Sequence, residues 1–270
     1  MSIKFGCIQG RLSKVPNDKY LQYFPKNWEN EISLLKKVNL DYLEFFKDRK
    51  KNLRSPFFSD EGFNFVKKIT LSKKIKNYSF CDDFFINTSI LNYKNLEKYY
   101  QNLSNNLKKL KIKVYVLALF EKSNLTALNY LKFVKPLKLI KNIFNKKGIK
   151  LALETNLESL ELSKLLKKIK KIYLVYDTGN RFDKNKNQYL EILSLKKFII
   201  HFHLKDKNFK NKNVVLGRGK VDFKKVFKAI KKINYKKNFT FETNRGKYPL
   251  ITMKNNLALI KNIAKKEKFI

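Results

Sequence analysis

The chain has 270 residues, 61 basic against 22 acidic, and a formal net charge of +39. Two cysteines, Cys7 and Cys81, exclude a disulfide framework, and no run approaches the roughly 18 consecutive apolar residues of a membrane span. The opening MSIKFGCIQGRLS has too short an apolar run for a signal peptide, so a cytoplasmic protein that does not associate with membranes is expected.

Strand-like and helix-like runs alternate along the chain. Ile3–Ile8 is a short apolar run closed by Gln9-Gly10, and Trp28–Val38 has helical periodicity. Tyr42–Phe46 reads as strand, Glu61–Leu71 as helix and Lys76–Cys81 as a weak third strand. Leu96–Leu110 is a lysine-bearing helix, and KVYVLAL (Lys113–Leu119) is a strong fourth strand. Leu125–Asn145 is helical, with Pro136 expected to interrupt it. After Gly148 comes strand Ile149–Glu154, then helix Leu157–Ile169, strand Ile172–Tyr176 and helix Gln188–Leu195. Phe198–His203 is the seventh strand. Helix Asp222–Ile233 has Asp222 as its N-cap. Phe239–Glu242 is the eighth strand, and Pro249–Lys265 the last helix.

Eight strand–helix alternations with continuously apolar strands indicate a parallel sheet covered on both faces. No Pro/Gly/Ser-rich linker divides the chain, and a closed barrel commonly needs about 250 residues. No GxGxxG follows the first strand, so the dinucleotide-binding open sheet lacks its main signal. The expected fold is therefore a single-domain (β/α)8 TIM barrel over residues 1–270. Its chemistry is expected at the carboxyl ends of the strands.

Four consecutive strands end there with a metal-competent side chain. LALETN carries Glu154, LVYDTGN carries Asp177, FIIHFHLKD carries His201 and His203, and FTFETN carries Glu242. Singly, each has an ordinary structural alternative: a capping or ion-paired Glu, an Asx turn at Asp177, a core histidine. Together they indicate one divalent-cation site. A carboxylate that ends a buried strand is costly unless paired or coordinated, and His201 and His203, two apart, share a strand face.

Gln9 and Arg11 follow the first strand, and Arg11 is suited to grip a substrate carboxylate or phosphate. Glu44 ends the second strand. Glu121 after the fourth strand, and Asp82 or Asp83 in CDD, fall near the same rim. GRG at 217–219, with Arg218, opens a helix and carries a weak anion-binding signal.

The positive charge suggests nucleic acid, but arginine occurs only as Arg11, Arg49, Arg54, Arg181, Arg218 and Arg245. Nucleic-acid readers lean on Arg for bidentate contacts. Lysines such as those in 164–171 and 205–212 read instead as solvated faces. No specific nucleic-acid partner is expected, only salt-sensitive attraction to polyanions.

These segments (ETN, YDTGN, HFHLKD, GRGKVDF and FETN) resemble the xylose isomerase-like TIM-barrel superfamily, and within it the sugar phosphate isomerases/epimerases. GCIQGRLS, FPKNWENE and LDYLEFF resemble a branch whose members open with similar QGRLS and FP-x-x-W stretches. The resemblance spans nearly the whole chain. It implies that Glu154, Asp177, His203 and Glu242 bind one metal ion and that Glu154 and Glu242 form an acid/base pair. The ketose epimerases of the family often carry a His three residues after the Asp ligand; here that position is Asn180.

The chemistry implied is proton abstraction beside a carbonyl, through a metal-stabilised enediolate, on a sugar or sugar phosphate. Gln9, Arg11, Glu44, Asn180, His201 and Arg218 are the substrate-side candidates. The oxygen-rich donor set suits Mn²⁺ or Mg²⁺, with Zn²⁺ or Co²⁺ as alternatives. The rivals are an endonuclease IV-like phosphodiesterase, for which two histidines are too few, a polyol lyase or dehydratase sharing the same residues, and a non-catalytic sugar-binding barrel. Assembly into a homo-oligomer is left open.

Overall fold

The computed structural model describes residues 3–14, 24–25, 27–51 and 55–270. Lys26, within the FPKNWENE segment, lies outside the described residues. The strands are β1 (Phe5–Ile8), β2 (Tyr42–Lys47), β3 (Ser79–Asp82), β4 (Val114–Ala118), β5 (Lys150–Glu154), β6 (Tyr173–Asp177), β7 (Ile199–Leu204), β8 (Asp206–Lys207), β9 (Asn213–Val214) and β10 (Phe239–Phe241). All but β8 and β9 form a closed barrel in the order β1-β10-β7-β6-β5-β4-β3-β2. The helices between them are α1 (Glu29–Lys37), α2 (Asp60–Ser72), α3 (Phe84–Asn87), α4 (Leu96–Lys109), α5 (Val134–Lys146), α6 (Ser159–Ile169), α7 (Gln188–Leu195), α8 (Phe223–Lys232) and α9 (Pro249–Lys266). The chain packs as two compact units, Met1–Leu43 with Tyr176–Ile270, and Glu44–Val175.

In the first unit β10 lies parallel between β1 and β7, with Phe239 opposite both Phe5 and Phe202, and Thr240 opposite both Gly6 and His203. Period-two alternation sorts these strands into two faces. On one, Phe239 stacks on Phe5 at 5.5 Å, on Phe202 at 5.6 Å and on Phe227 of α8 at 5.7 Å. On the other, the Thr240 hydroxyl meets the Tyr42 hydroxyl at 2.8 Å and His201 Nε2 at 3.0 Å. The strands that look uniformly apolar in sequence are thus aromatic toward the helices and polar toward the interior.

Helix α8 buries Phe223, Val226, Phe227 and Ile230 at helical spacing and exposes Lys224, Lys225 and Lys228, a solvated lysine face on an amphipathic helix. Asp222 is its N-cap, accepting from the Lys225 N–H at 3.0 Å, an interaction that contributes about 1 kcal/mol.

In the second unit β4 pairs with β3 and β5, and Tyr115 stacks on Phe144 of α5 at 4.4 Å. A polar couple is set into this aromatic layer. The Asp82 carboxylate accepts from Tyr115 at 2.7 Å and Tyr99 at 3.0 Å. The Lys47 ammonium lies over Tyr99 at 4.5 Å, Phe58 at 4.9 Å and Phe84 at 5.4 Å. Burial lowers the Lys47 pKa, with the Asp82 charge working against it. Asp82 is therefore part of the packing layer, and Glu121 is exposed and paired with Arg49 at 2.8 Å. Both lie at the carboxyl ends of their strands, but their carboxylates are engaged in these contacts.

Pro136 does not break its helix. It is the third residue of α5, where its missing N–H has no intrahelical partner to lose; the discontinuity lies upstream, between a 3-10 turn at Tyr130–Phe133 and Val134. The hairpin β8–β9 and the short α3 were not anticipated; two- and four-residue elements leave no periodicity to read. No helix among the described residues is long and apolar enough to cross a membrane.

Candidate metal and substrate site

Asp177 ends β6 and is fully buried. Its Oδ1 accepts from the backbone N–H of Gly179 at 2.8 Å and of Asn180 at 2.6 Å, which turns the chain and fixes the carboxylate. The TGN after Asp177 is held to β7: the Thr178 N–H donates to His203 O at 3.0 Å, and its hydroxyl bonds the Lys205 carbonyl at 2.6 Å.

His203 on β7 is fully buried, with Nδ1 2.9 Å from Glu242 Oε2. Glu242 directly follows β10, and its N–H donates to Leu204 O at 3.0 Å. Glu154 ends β5 and is buried; its carbonyl accepts from Leu119 at 2.9 Å. Each of Glu154, Asp177, His203 and Glu242 offers one ligand atom, and these atoms lie within 4.8 Å of one another.

The sequence reading assigns Lys205 to a solvated run. The structure buries it at 3% exposure, with Nζ 3.0 Å from Asp177 Oδ2 and 2.8 Å from Glu242 Oε1. Its stem crosses Gly179, where an added Cβ would come within 2.7 Å of Lys205 Cγ. The signal was available: 201, 203 and 205 are spaced by two and share a strand face. Burial opposes the charge on Glu242, but Lys205, then His203 and Arg11, hold its carboxyl well below the usual range.

Around β1, Arg11 is fully buried with Nη2 3.9 Å from Glu242 Oε1. Gly10 and Leu12 donate their N–H groups to the buried Glu31 carboxylate of α1 at 2.5 and 2.9 Å. Burial raises the Glu31 pKa, opposed by these hydrogen bonds, by Ser13 and by Arg245. Arg245, buried, donates through Nε to the Gly10 carbonyl. Sequence reasoning singled out neither Glu31 nor Arg245. Gln9 is fully buried, and neither its amide nitrogen nor its amide oxygen has a hydrogen-bond partner among the described residues.

The other substrate-side candidates Glu44 and His201 adjoin this cluster, each with a ligand atom within 4.8 Å of one on His203. Glu44 does not end its strand; β2 continues to Lys47, and Glu44, fully buried in mid-strand, accepts from the Ser79 hydroxyl. His201 is likewise mid-strand, held against Thr240. Asn180 is half-buried after Asp177.

Arg218 is exposed. The GRG loop binds an internal anion: the N–H groups of Gly217 and Gly219 donate to Asp206 Oδ2 at 2.9 Å each, and that of Val221 to Oδ1 at 3.1 Å. A Cβ at Gly219 would fall 2.0 Å from Asp206 Oδ1. With Asp206 in place and Asp222 capping α8, these amides are not available to a phosphate, which corrects the weak anion signal.

A family model described as xylose isomerase-like TIM barrel matches residues 32–264. No curated protein sequence matches the chain. Among solved structures, D-psicose 3-epimerase from Clostridium cellulolyticum superposes with a TM-score of 0.76 at 14% identity, covering 97% of this chain and 99% of that one. An L-ribulose 3-epimerase gives 0.76 at 13% identity, covering 98% and 96%. A 3-keto-D-glucoside 4-epimerase from E. coli gives 0.73 at 15% identity, covering 97% and 100%. At these identities the likeness establishes the fold.

Proposed function

The chain belongs to the xylose isomerase-like TIM barrel family, and from that premise we propose that it is a divalent-metal-dependent sugar isomerase or epimerase. The observation that carries the reading is the convergence of three carboxylates and one imidazole within 4.8 Å. The epimerase neighbours support the same reading.

The donor set fits a divalent cation. Lys205 already places a positive charge between Asp177 and Glu242, and the oxygen-rich donors suit Mn²⁺ or Mg²⁺, with Zn²⁺ or Co²⁺ as alternatives. Glu154, Asp177, His203 and Glu242 are the proposed ligands. A bound cation supplies Lewis-acid polarisation of a carbonyl oxygen. Glu154 and Glu242, on different strands, are the proposed acid/base pair: one removes the proton beside the carbonyl, and the other returns one. Return to the opposite face of the same carbon is epimerisation; return to the neighbouring carbon is isomerisation. Lys205 holds the same two carboxylates, Asp177 and Glu242, and would yield them to the cation.

The test is metal content of the wild type beside His203→Ala, followed by solvent-deuterium exchange into aldoses, ketoses and their acidic derivatives. The expected result is about one ion per chain, lost in the variant, with exchange that Glu154→Gln lowers by roughly 10²–10⁴-fold. Bound metal without exchange into any sugar would move the assignment to the lyase reading. No metal in either protein would overturn it.

A further inference from the structure

We propose, resting on the isomerase/epimerase reading, that the substrate sugar carries an anionic substituent, phosphoryl or carboxylate, and that Arg245 with Arg11 forms the subsite that recognises it. Both guanidinium groups are buried, Arg11 at 0% and Arg245 at 6% exposure. They follow β1 and β10, neighbours in the barrel, and are tied together through the Gln9-Gly10-Arg11 turn, whose Gly10 carbonyl accepts from Arg245. Guanidinium forks match the oxygens of carboxylates and phosphoryl groups. Two residues before Arg11, Gln9 presents a fully buried amide with neither atom partnered among the described residues. Such groups in native structures are normally satisfied, and a ligand with several polar oxygens would satisfy this one.

The charges point the same way. The carboxylates on this side, Asp177, Glu242 and Glu31, are matched by Arg11, Lys205 and Arg245, all buried, so the two guanidinium groups are held in place, always charged, and able to donate to an anionic substituent. Glu31 also serves the Gly10 and Leu12 N–H groups, so it is a brace for the turn as well as a counter-charge to Arg245.

The experiment compares a ketohexose, its 6-phosphate and a keto-uronate as substrates for solvent-deuterium exchange in the metal-loaded full chain. Inorganic phosphate is titrated calorimetrically against wild type, Arg245→Gln and Arg245→Lys. The lysine variant keeps the charge opposite Glu31 should the glutamine variant fold poorly. The expected result is a kcat/KM at least 100-fold higher for one charged class than for the neutral ketose. That ratio should collapse toward unity in both variants, mainly through KM, and phosphate binding should weaken at least tenfold. Preference for the 6-phosphate identifies a phosphoryl group, and preference for the keto-uronate a carboxylate. Equal exchange into the neutral ketose, or phosphate affinity unchanged by both substitutions, overturns the subsite and leaves the isomerase reading standing. Phosphate binding lost on substitution, with no exchange into any sugar, upholds the subsite and overturns that reading.

Discussion

Lys205→Met removes a buried ammonium that holds two carboxylates, at 3.0 Å from Asp177 and 2.8 Å from Glu242. The methylene stem over Gly179 is kept, so packing changes little. Removing one partner of a buried ion pair leaves the other uncompensated, at roughly 3–5 kcal/mol; Arg11 at 3.9 Å and His203 at 2.9 Å favour the lower end. In a chain of this length about 3 kcal/mol corresponds to a fall in Tm of roughly 6–12 °C. The ammonium and a divalent ion compete for the same two oxygens, so the deficit should appear in EDTA and shrink when Mn²⁺ is added. Affinity for Mn²⁺ should rise at least tenfold. The assay is thermal denaturation by circular dichroism with and without metal, paired with a Mn²⁺ titration. An equal loss of Tm under both conditions, or weaker Mn²⁺ binding by the variant, would refute the idea that Lys205 and the metal share those carboxylates.

Other substitutions probe the scaffold. Lys47 has a folded-state pKa below its ordinary 10.5, so the unfolded chain holds its proton to higher pH. Stability should rise between the two values and level off above 10.5. Lys47→Met should abolish this increment and leave Tm at neutral pH unchanged or higher, because the Tyr99 and Tyr115 hydroxyls still satisfy Asp82; a lower Tm would show that the cation–π contacts dominate. Asp206→Ala should strand the N–H groups of Gly217, Gly219 and Val221 and destabilise by about 2–4 kcal/mol, seen as a reduced midpoint in urea. Arg218→Ala, at an exposed position, should change stability by less than about 0.5 kcal/mol and kcat/KM by less than threefold; a tenfold loss would return that residue to the substrate.

The barrel and the four proposed ligands were legible because each depends on a local pattern repeated many times. Apolar runs alternate with helical periodicity, and a single acidic or imidazole side chain closes each of four late strands. Lys205 was misread because 61 basic residues make any one lysine look like surface, although its place two beyond His203 marks it as inward. Arg245 and Glu31 were missed for a different reason. Their partners lie far away in sequence, at Gly10 and Leu12, and such pairings exist only once β1 and β10 adjoin. Glu44 shows the limit of reading strand ends: the strand runs three residues further, so a residue expected at the rim is in mid-strand.

The chain contains a single tryptophan, and its position makes it useful. Trp28 is buried at the start of α1, edge-on to Phe24 at 6.1 Å, and its carbonyl accepts the Glu31 N–H at 3.1 Å. Glu31 is the residue that clamps the turn bearing Gln9 and Arg11. The fluorescence of the unlabelled protein therefore originates beside the clamp, against a background of tyrosines spread over the rest of the chain. A change in emission maximum on adding a ligand would report on that turn from within, and the occupancy of its neighbourhood could be followed by stopped flow without a coupled assay or a dye.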